Sequence, residues 1–425
     1  MFQALRKIWY NEFFKNVATL ISGTTFAQAF SVVIYVVLSR IYTEEDFGVF
    51  GLYMNILSIA LIFSTAKYEL AILLPRSDHE SVNLLGLSGV ISITVSLTLL
   101  FIIILFNSLI CRWLGSDEIS PWLYFIPFST LLVGLFTSFR NYSNRQKRYK
   151  LIAWANIAQS LGNSLLKLGL GLAMAGAAGL IFGVVFGQLV GLLLLLVVFI
   201  RTNRQKWSWL KLSEMKRLGK EYNLFPRYNM WQGLVNNLSG ALPVFILSSW
   251  FSTGIAGIFT FGYMVLYRPV NLVATAFYQV FFQRFSERQR AGQPILSEIR
   301  LFLTRTIQWL IVPFVAFGIF APGIFGFLFG ERWIEAGKYA QIMLPWIFAV
   351  SLTMPLSFIP DLYKKQRTAL FIDSIRLVGR GLALAAGVMM ESVYLGLALY
   401  SGVSALMILY SLVWYIRVVK KESKK

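Results

Sequence analysis

Cysteine and histidine are almost missing from this chain. Cys111 alone cannot form an internal disulfide, and His79 alone, between Asp78 and Glu80, reads as a solvated loop residue. A zinc centre or a His/Cys nucleophilic site has almost no material here. Acid is scarce as well: 19 Asp and Glu stand against 39 Lys and Arg in 425 residues, and charged residues are only 14% of the total. No glycine-rich loop is followed by Lys-Ser/Thr, so no nucleotide-binding loop is visible. Gly169-Leu-Gly-Leu-Ala-Met-Ala-Gly176 lies in an apolar run and reads as close helix packing.

What the chain has is apolar length. Hydrophobic residues make up 57% of it, which describes a polytopic membrane protein and not a soluble enzyme. Set against bilayer thickness, the runs predict about 12 spanning helices. They lie near 16–41, 48–74, 82–111, 120–139, 151–174, 178–200, 225–250, 255–282, 301–329, 340–361, 368–388 and 393–416. The first run is too long for a signal-peptide core and reads as a retained span. The expected fold is all-α, with two parallel six-helix lobes, 1–205 and 206–425, around a central cavity. The longest polar segment, 201–227, mixes Trp207, Trp209, Leu210, Met215 and Leu218 with Lys and Arg, as an interfacial linker does.

The connecting segments sort by charge. Those on the side of the N-terminus carry 30 cations, and the opposite side holds only Arg40, Arg112, Arg332 and Lys338. The positive-inside rule then places both termini in the cytoplasm. The net charge of +20 is thereby accounted for without nucleic acid. Five cations remain inside apolar runs: Lys67, Lys167, Arg268, Arg376 and Arg380.

The halves resemble each other in order. Ser39-Arg-Ile-Tyr-Thr answers Ser248-Ser-Trp-Phe-Ser, Thr65-Ala-Lys-Tyr68 answers Thr275-Ala-Phe-Tyr278, and Arg145-Gln-Lys answers Lys365-Gln-Arg367, the offset drifting from 209 to 220. Six spans per half imply parallel repeats, the geometry of a transporter that rocks between two openings. At an offset of 220, Asn156 matches Arg376 and Ser160 matches Arg380.

A charge inside a bilayer costs roughly 2.5–3.5 kcal/mol and needs a partner, a wet cavity or a route to the interface. Asn156, Gln159, Ser160, Asn163, Ser164 and Lys167 share one helix face, as do Asp373, Arg376 and Arg380. The eighth run adds Arg268, Asn271, Thr275 and Gln279; the second adds Asn55, Ser58, Thr65 and Glu69. Gln28 and its repeat mate Asn237, near Gln232 and Asn236, belong to the first and seventh. Each stripe has two readings, cavity lining or interhelical hydrogen bonding. Asp373 and Arg376, at i and i+3, can pair internally. Lys67 lies about 200° off its stripe and can snorkel to the interface. An excess of guanidinium suits a phosphate-bearing anion, and Asn, Gln and Ser suit sugar hydroxyls.

Several segments resemble bacterial polysaccharide-biosynthesis flippases of the Wzx type. They are Lys67-Tyr-Glu-Leu-Ala-Ile-Leu-Leu-Pro75 with Asp78-His-Glu80, then Tyr222-Asn-Leu-Phe-Pro-Arg-Tyr-Asn229 and Gly257-Ile-Phe. Tyr267-Arg-Pro269, Gln279-Val-Phe-Phe-Gln283 and Phe329-Gly-Glu-Arg-Trp continue the series, which covers nearly the whole chain. The resemblance implies a non-enzymatic member of the multidrug/oligosaccharidyl-lipid/polysaccharide exporter superfamily. Such a protein moves an undecaprenyl-diphosphate oligosaccharide from the cytoplasmic to the outer leaflet of the bacterial inner membrane, for O-antigen, capsule or exopolysaccharide synthesis. It implies basic residues at Lys67, Arg268, Arg376 and Arg380 facing the substrate. Membrane lipids, a polysaccharide polymerase and chain-length proteins are its implied partners. No cofactor is expected; Glu69 and Asp373 are the candidates for H⁺ or Na⁺ coupling, with membrane potential as the other drive. Peptidoglycan-precursor flippases usually have two further C-terminal spans, which sets that branch apart. The alternatives are a multidrug exporter, which would want an acidic aromatic cavity, and a membrane-embedded polymerase or glycosyltransferase. The polymerase reading would want a large catalytic outer loop, whereas Glu44, Glu45, Asp46, Asp117, Glu118, Glu331, Glu335 and Glu391 are scattered over short ones.

Overall fold

In a computed structural model of the chain, residues 34–290 and 295–422 are described. The first expected span lies mostly outside them, Gln28 included, and only 34–41 is seen, as helix. The described residues form helices and no strand. In chain order the longer helices are α1 (Glu44–Phe63), α3 (Asp78–Leu114), α4 (Phe125–Arg145), α5 (Tyr149–Leu172) and α6 (Ala177–Asn203), with a short α2 (Tyr68–Ala71) after α1. There follow α7 (Leu212–Glu221), α8 (Met230–Trp250), α9 (Thr253–Arg290), α10 (Leu296–Phe329), α11 (Ile334–Thr353), α12 (Gln366–Met389) and α13 (Val393–Glu422).

Among the described residues, seven helical segments are long and apolar enough to cross a membrane. The helices α5, α8, α9 and α12, with 24, 21, 38 and 24 residues, have the length but not the apolarity. At 1.5 Å per residue each reaches about 30 Å, and their polar stripes are what dilute them. The chain is an all-α polytopic membrane protein.

Local chemistry sets the helix ends. Thr43 starts α1 with a capping box: its hydroxyl accepts from the Asp46 amide at 3.2 Å and the Asp46 carboxylate accepts from the Thr43 amide at 2.9 Å. Glu44, Glu45 and Asp46 sit at the positive end of the helix dipole. Ser77 caps α3 through the Glu80 amide, and Gly115, at φ 63°, closes it.

The expected continuous span over 48–74 is broken. The helix stops at Phe63, Ala66 and Lys67 take left-handed backbone (φ 48° and 65°), and α2 begins afresh at Tyr68. An angular argument about Lys67 along one unbroken helix therefore does not apply. The repeat partner Thr275-Ala-Phe-Tyr278 stays inside α9. The expected span over 340–361 is likewise interrupted: α11 ends at Thr353 and passes through a 3₁₀ turn, Met354–Leu356, containing Pro355.

The chain divides into two compact units, Met1–Asn237 and Leu238–Lys425, the division falling inside α8. Expectation set it at 205/206. The linker groups with the first unit because it is fastened there. Met215 and Leu218 of α7 are buried, and Met215 and Leu210 fill the space a side chain at Gly86 would need. Asn83 donates to the Trp209 carbonyl and accepts from the Lys211 amide, at 3.0 and 2.9 Å. The Tyr68 hydroxyl donates to the Gly219 carbonyl at 2.7 Å. Arg217 pairs with Glu80 at 2.9 Å, and Lys206 and Arg145 share Asp78. Burial works against the Lys206 ammonium, but its bonds to Asp78 and Tyr142 outweigh that and hold it above the usual lysine range.

The internal repeat is visible in the backbone, in a register unlike the expected one. Tyr149 to Gln366 is an offset of 217, and at that offset α5 and α12 begin together, end together and have equal length. Left-handed Lys147 and Met174 flank α5 as Lys364 and Glu391 flank α12, with matching turn hydrogen bonds. The structure therefore aligns Asn156 with Asp373, Gln159 with Arg376, and Asn163 with Arg380, correcting the offset of 220.

Candidate functional site

In the first unit the polar face of α5 meets a glycine ridge. Gly179, Gly183, Gly187 and Gly191 recur every fourth residue along α6 and let the two backbones close on each other. A Cβ at Gly187 would stand 2.6 Å from the Gln159 carbonyl oxygen and 2.8 Å from the Asn163 Cβ. One at Gly183 would stand 2.4 Å from the Lys167 Cγ, and one at Gly191 3.2 Å from the Gln159 Cβ. Lys167 is buried at 3% exposure, with its ammonium 4.5 Å from the centre of the Phe50 ring. Its carbonyl accepts from the Tyr42 hydroxyl at 2.6 Å. The stripe thus contributes much of its surface to helix packing, where the cavity reading had placed Gln159, Asn163 and Lys167. Asn156, Gln159 and Asn163 stay half-buried, and the Asn163 Oδ1 is buried without a hydrogen bond among the described residues.

Elsewhere in this unit the break after α1 gathers charge. The Thr65 hydroxyl donates to the Glu69 carboxylate, which is 6% exposed. The Glu69 carbonyl accepts from Asn141 at 2.9 Å. Arg140, next in sequence to Asn141, lies within electrostatic reach of Glu69, with its guanidinium 5.7 Å from the Phe136 ring. Arg140, one of the 30 cations assigned above to connecting segments, belongs to α4. Lys67 is half-buried beside Gly233. Asn237 donates to the Ser58 carbonyl at 2.7 Å, an interhelical bond.

In the second unit the equivalent face of α12 is built for charge. Arg376 and Asp373 form the expected i, i+3 pair at 2.8 Å, both mostly covered. Arg380, one turn on, is 5% exposed. Its Nε donates to Ser404 at 2.7 Å and its terminal nitrogen to Ser239 at 2.9 Å. Its guanidinium carbon lies 5.1 Å from the Trp346 ring centre and 5.0 Å from that of Tyr400. Tyr263 and Tyr267 continue the aromatic wall, Tyr263 stacking on Trp346 at 5.5 Å. The register explains the difference between the units: Ser404 and Tyr400 occupy the positions of Gly187 and Gly183. Where the first unit closes glycine against Asn163, the second keeps space for a guanidinium and supplies a hydroxyl. On the described polar face of α12, Asp373 is thus one carboxylate beside two arginines. Arg268 and Asn271 are half-buried on α9, one turn apart. The Gln279 side chain lies outside the described ones.

Solved transporters of the MOP superfamily share this helical fold. An inward-closed lipid II flippase, MurJ, aligns with TM-score 0.69 at 14% identity over 94% of this chain and 90% of its own. An inward-facing multidrug resistance MATE family transporter of the MOP superfamily gives 0.63 at 14% identity, over 93% and 96%. A MOP superfamily transporter from Pyrococcus furiosus gives 0.59 at 13%, over 96% and 95%. Comparison with curated proteins yields no match. The profile of the family described as polysaccharide biosynthesis protein matches residues 37–338, and the chain belongs to that family.

Proposed function

We propose that the protein is a flippase that carries an undecaprenyl-diphosphate-linked oligosaccharide from the cytoplasmic to the outer leaflet of a bacterial inner membrane, without catalysis, by alternating access. The family membership and the transporter fold support a flippase or exporter. The carrying observation for the substrate is the surplus guanidinium charge on α12, two arginines to one aspartate in a covered, aromatic-walled setting. A diphosphate would complete that balance, and its attraction is less screened there than in water. Arg268 and Arg376 would meet the diphosphate, and Arg380 would add field. Lys67 and the half-buried Asn156, Gln159, Asn163, Asn237 and Asn271 would serve the sugar. The basic segments would face the cytoplasm, with both termini.

The drug-exporter reading wants aromatic faces free for an organic cation. Trp346 and Tyr400 already hold Arg380, which favours the anionic substrate. Return of the empty carrier would be coupled to H⁺, Na⁺ or membrane potential, with Glu69 and Asp373 as the acids; charge-neutral variants with unchanged pH, Na⁺ and voltage dependence would remove them. A polysaccharide polymerase and chain-length proteins would be the partners acting after translocation.

The test is leaflet translocation of labelled undecaprenyl-diphosphate oligosaccharide in proteoliposomes, comparing native protein with folded Arg268→Ala and Arg376→Ala. Native transport lost in both variants supports the reading. Transport unchanged in both discards the site, and no native transport with any of several donor glycans discards the substrate.

A further inference from the structure

An apolar groove of about 470 Å³ runs along the second unit between α9, α10 and the end of α11. Val273 and Phe277 form one wall and Phe302 and Trp309 another; Arg305 and Thr306 are among its few polar members. Trp309 is 75% exposed and Val273 56%. No protein group among the described residues covers them, and in a membrane chain such a surface meets lipid.

Depth and charge identify the lipid. From Phe302 to Phe314 the groove follows α10 for about 18 Å at 1.5 Å per residue. Half of a hydrocarbon core is roughly 15 Å, so the groove is one leaflet deep. Arg305 stands near one end of it. Toward that same end, Arg284 and Arg288 share Glu298 at 2.9 and 2.6 Å, and Arg300 is exposed. Among the described side chains, four arginines to one glutamate leave a positive rim. The groove's lining is almost wholly apolar over its length, which suits one extended hydrocarbon chain lying along α10.

We propose that this groove is a binding site for one anionic phospholipid of the leaflet on the arginine-rich side, with an acyl chain along Val273 and Trp309 and the phosphate on Arg305. Only the sidedness rests on the proposed topology, and lipid binding can be read without transport.

Trp309 is the reporter. The full chain is placed in phosphatidylcholine nanodiscs carrying equal fractions of chain-brominated phosphatidylglycerol or chain-brominated phosphatidylcholine. The Trp309 signal is taken as the difference between native protein and Trp309→Phe. The anionic lipid is expected to occupy the site about fivefold better, the preference one arginine confers near a charged surface, about 1 kcal/mol. Arg305→Gln should bring the two lipids level, and Arg305→Lys should keep most of the preference. Val273→Phe should reduce quenching by both. Equal quenching in the native protein would reduce the groove to ordinary annular contact and overturn the proposal. So would displacement of the brominated lipid by a polyprenyl diphosphate in preference to unlabelled phosphatidylglycerol, which would give the groove to the transported lipid. A protein that fails to translocate yet shows the preference would sink the flippase reading and leave this one standing.

Discussion

Replacing Arg380 with methionine separates what this cation does for the fold from what it does for transport. Its two hydrogen bonds, at 2.7 and 2.9 Å, carry a charged donor and are worth about 1.5–3 kcal/mol each. Contact with two desolvated ring faces, at 5.1 and 5.0 Å, adds about 2 kcal/mol or somewhat more. Against this stands a desolvation penalty of several kcal/mol for a guanidinium at 5% exposure. The terms nearly cancel. Methionine keeps an unbranched apolar stem against Trp346 and Tyr400, and the Ser404 hydroxyl keeps its bond to the Tyr400 carbonyl at 2.6 Å. Arg380→Met should therefore shift stability by less than about 2 kcal/mol, a melting shift within roughly 8 °C in detergent. Translocation in proteoliposomes should fall at least about tenfold, the equivalent of 1.4 kcal/mol. A variant that aggregates where the native protein stays folded would show that Arg380 is there for packing. A stable variant with full transport would show that the surplus charge on α12 is not used. Either result refutes the reasoning.

Gly187→Leu should break the α5–α6 contact, because the obstructing atom is the Gln159 carbonyl oxygen and backbone cannot move aside. A cost above the usual 1–3 kcal/mol of overpacking is expected, seen as lost monodisperse protein on size exclusion; a normal yield and melting point would deny the close approach. Lys67→Gly should keep the fold, since glycine adopts left-handed backbone without the roughly 1–2 kcal/mol that a side chain pays there, while removing the charge. A stable variant that loses transport assigns the role to the ammonium, and one that transports normally removes Lys67 from the site. The raised Lys206 value keeps its bond to Asp78 at full strength below the ordinary lysine range of about 10.4, down to the acid range in which Asp78 protonates, and the bond is lost again as pH climbs through the raised value. With His79, whose ring packs 5.9 Å from that of Trp209, replaced by Gln, fluorescence of Trp209, 5.7 Å from the Lys206 ammonium, should stay level from neutral pH to at least about pH 10.4 and change only above it. Adding Asp78→Asn should move the change lower, and a transition near neutrality in His79→Gln would contradict the assignment.

The apolar runs told the helices, and the ordered motifs told that the halves correspond. They could not tell the register. Loop lengths differ between the halves, so short matches drift, whereas Lys147 with Lys364 and Met174 with Glu391 share a left-handed conformation that none of these residue types announces. The break after Phe63 was hidden for the same reason, since Ser64-Thr-Ala-Lys67 contains neither proline nor glycine. The Asp373–Arg376 pair was legible because it is local. The serines that hold Arg380 were not, lying 24 and 141 residues away. The glycines at 179, 183, 187 and 191 stand in plain four-residue spacing. That spacing is the signal that a helix lies close against α6, as α5 does along part of its polar face.

The two matched helices also let one architecture serve two ends. Where a segment occurs twice, one copy can hold the packing while the other carries charge that the first has no room for. Asn163, Gly183 and Gly187 in the first unit correspond to Arg380, Tyr400 and Ser404 in the second, three positions that meet one another in each unit. An arginine set against the glycine ridge of α6 would meet backbone and find no room. Room for the cation and the hydroxyl that binds it therefore come together, and neither half of the exchange serves without the other.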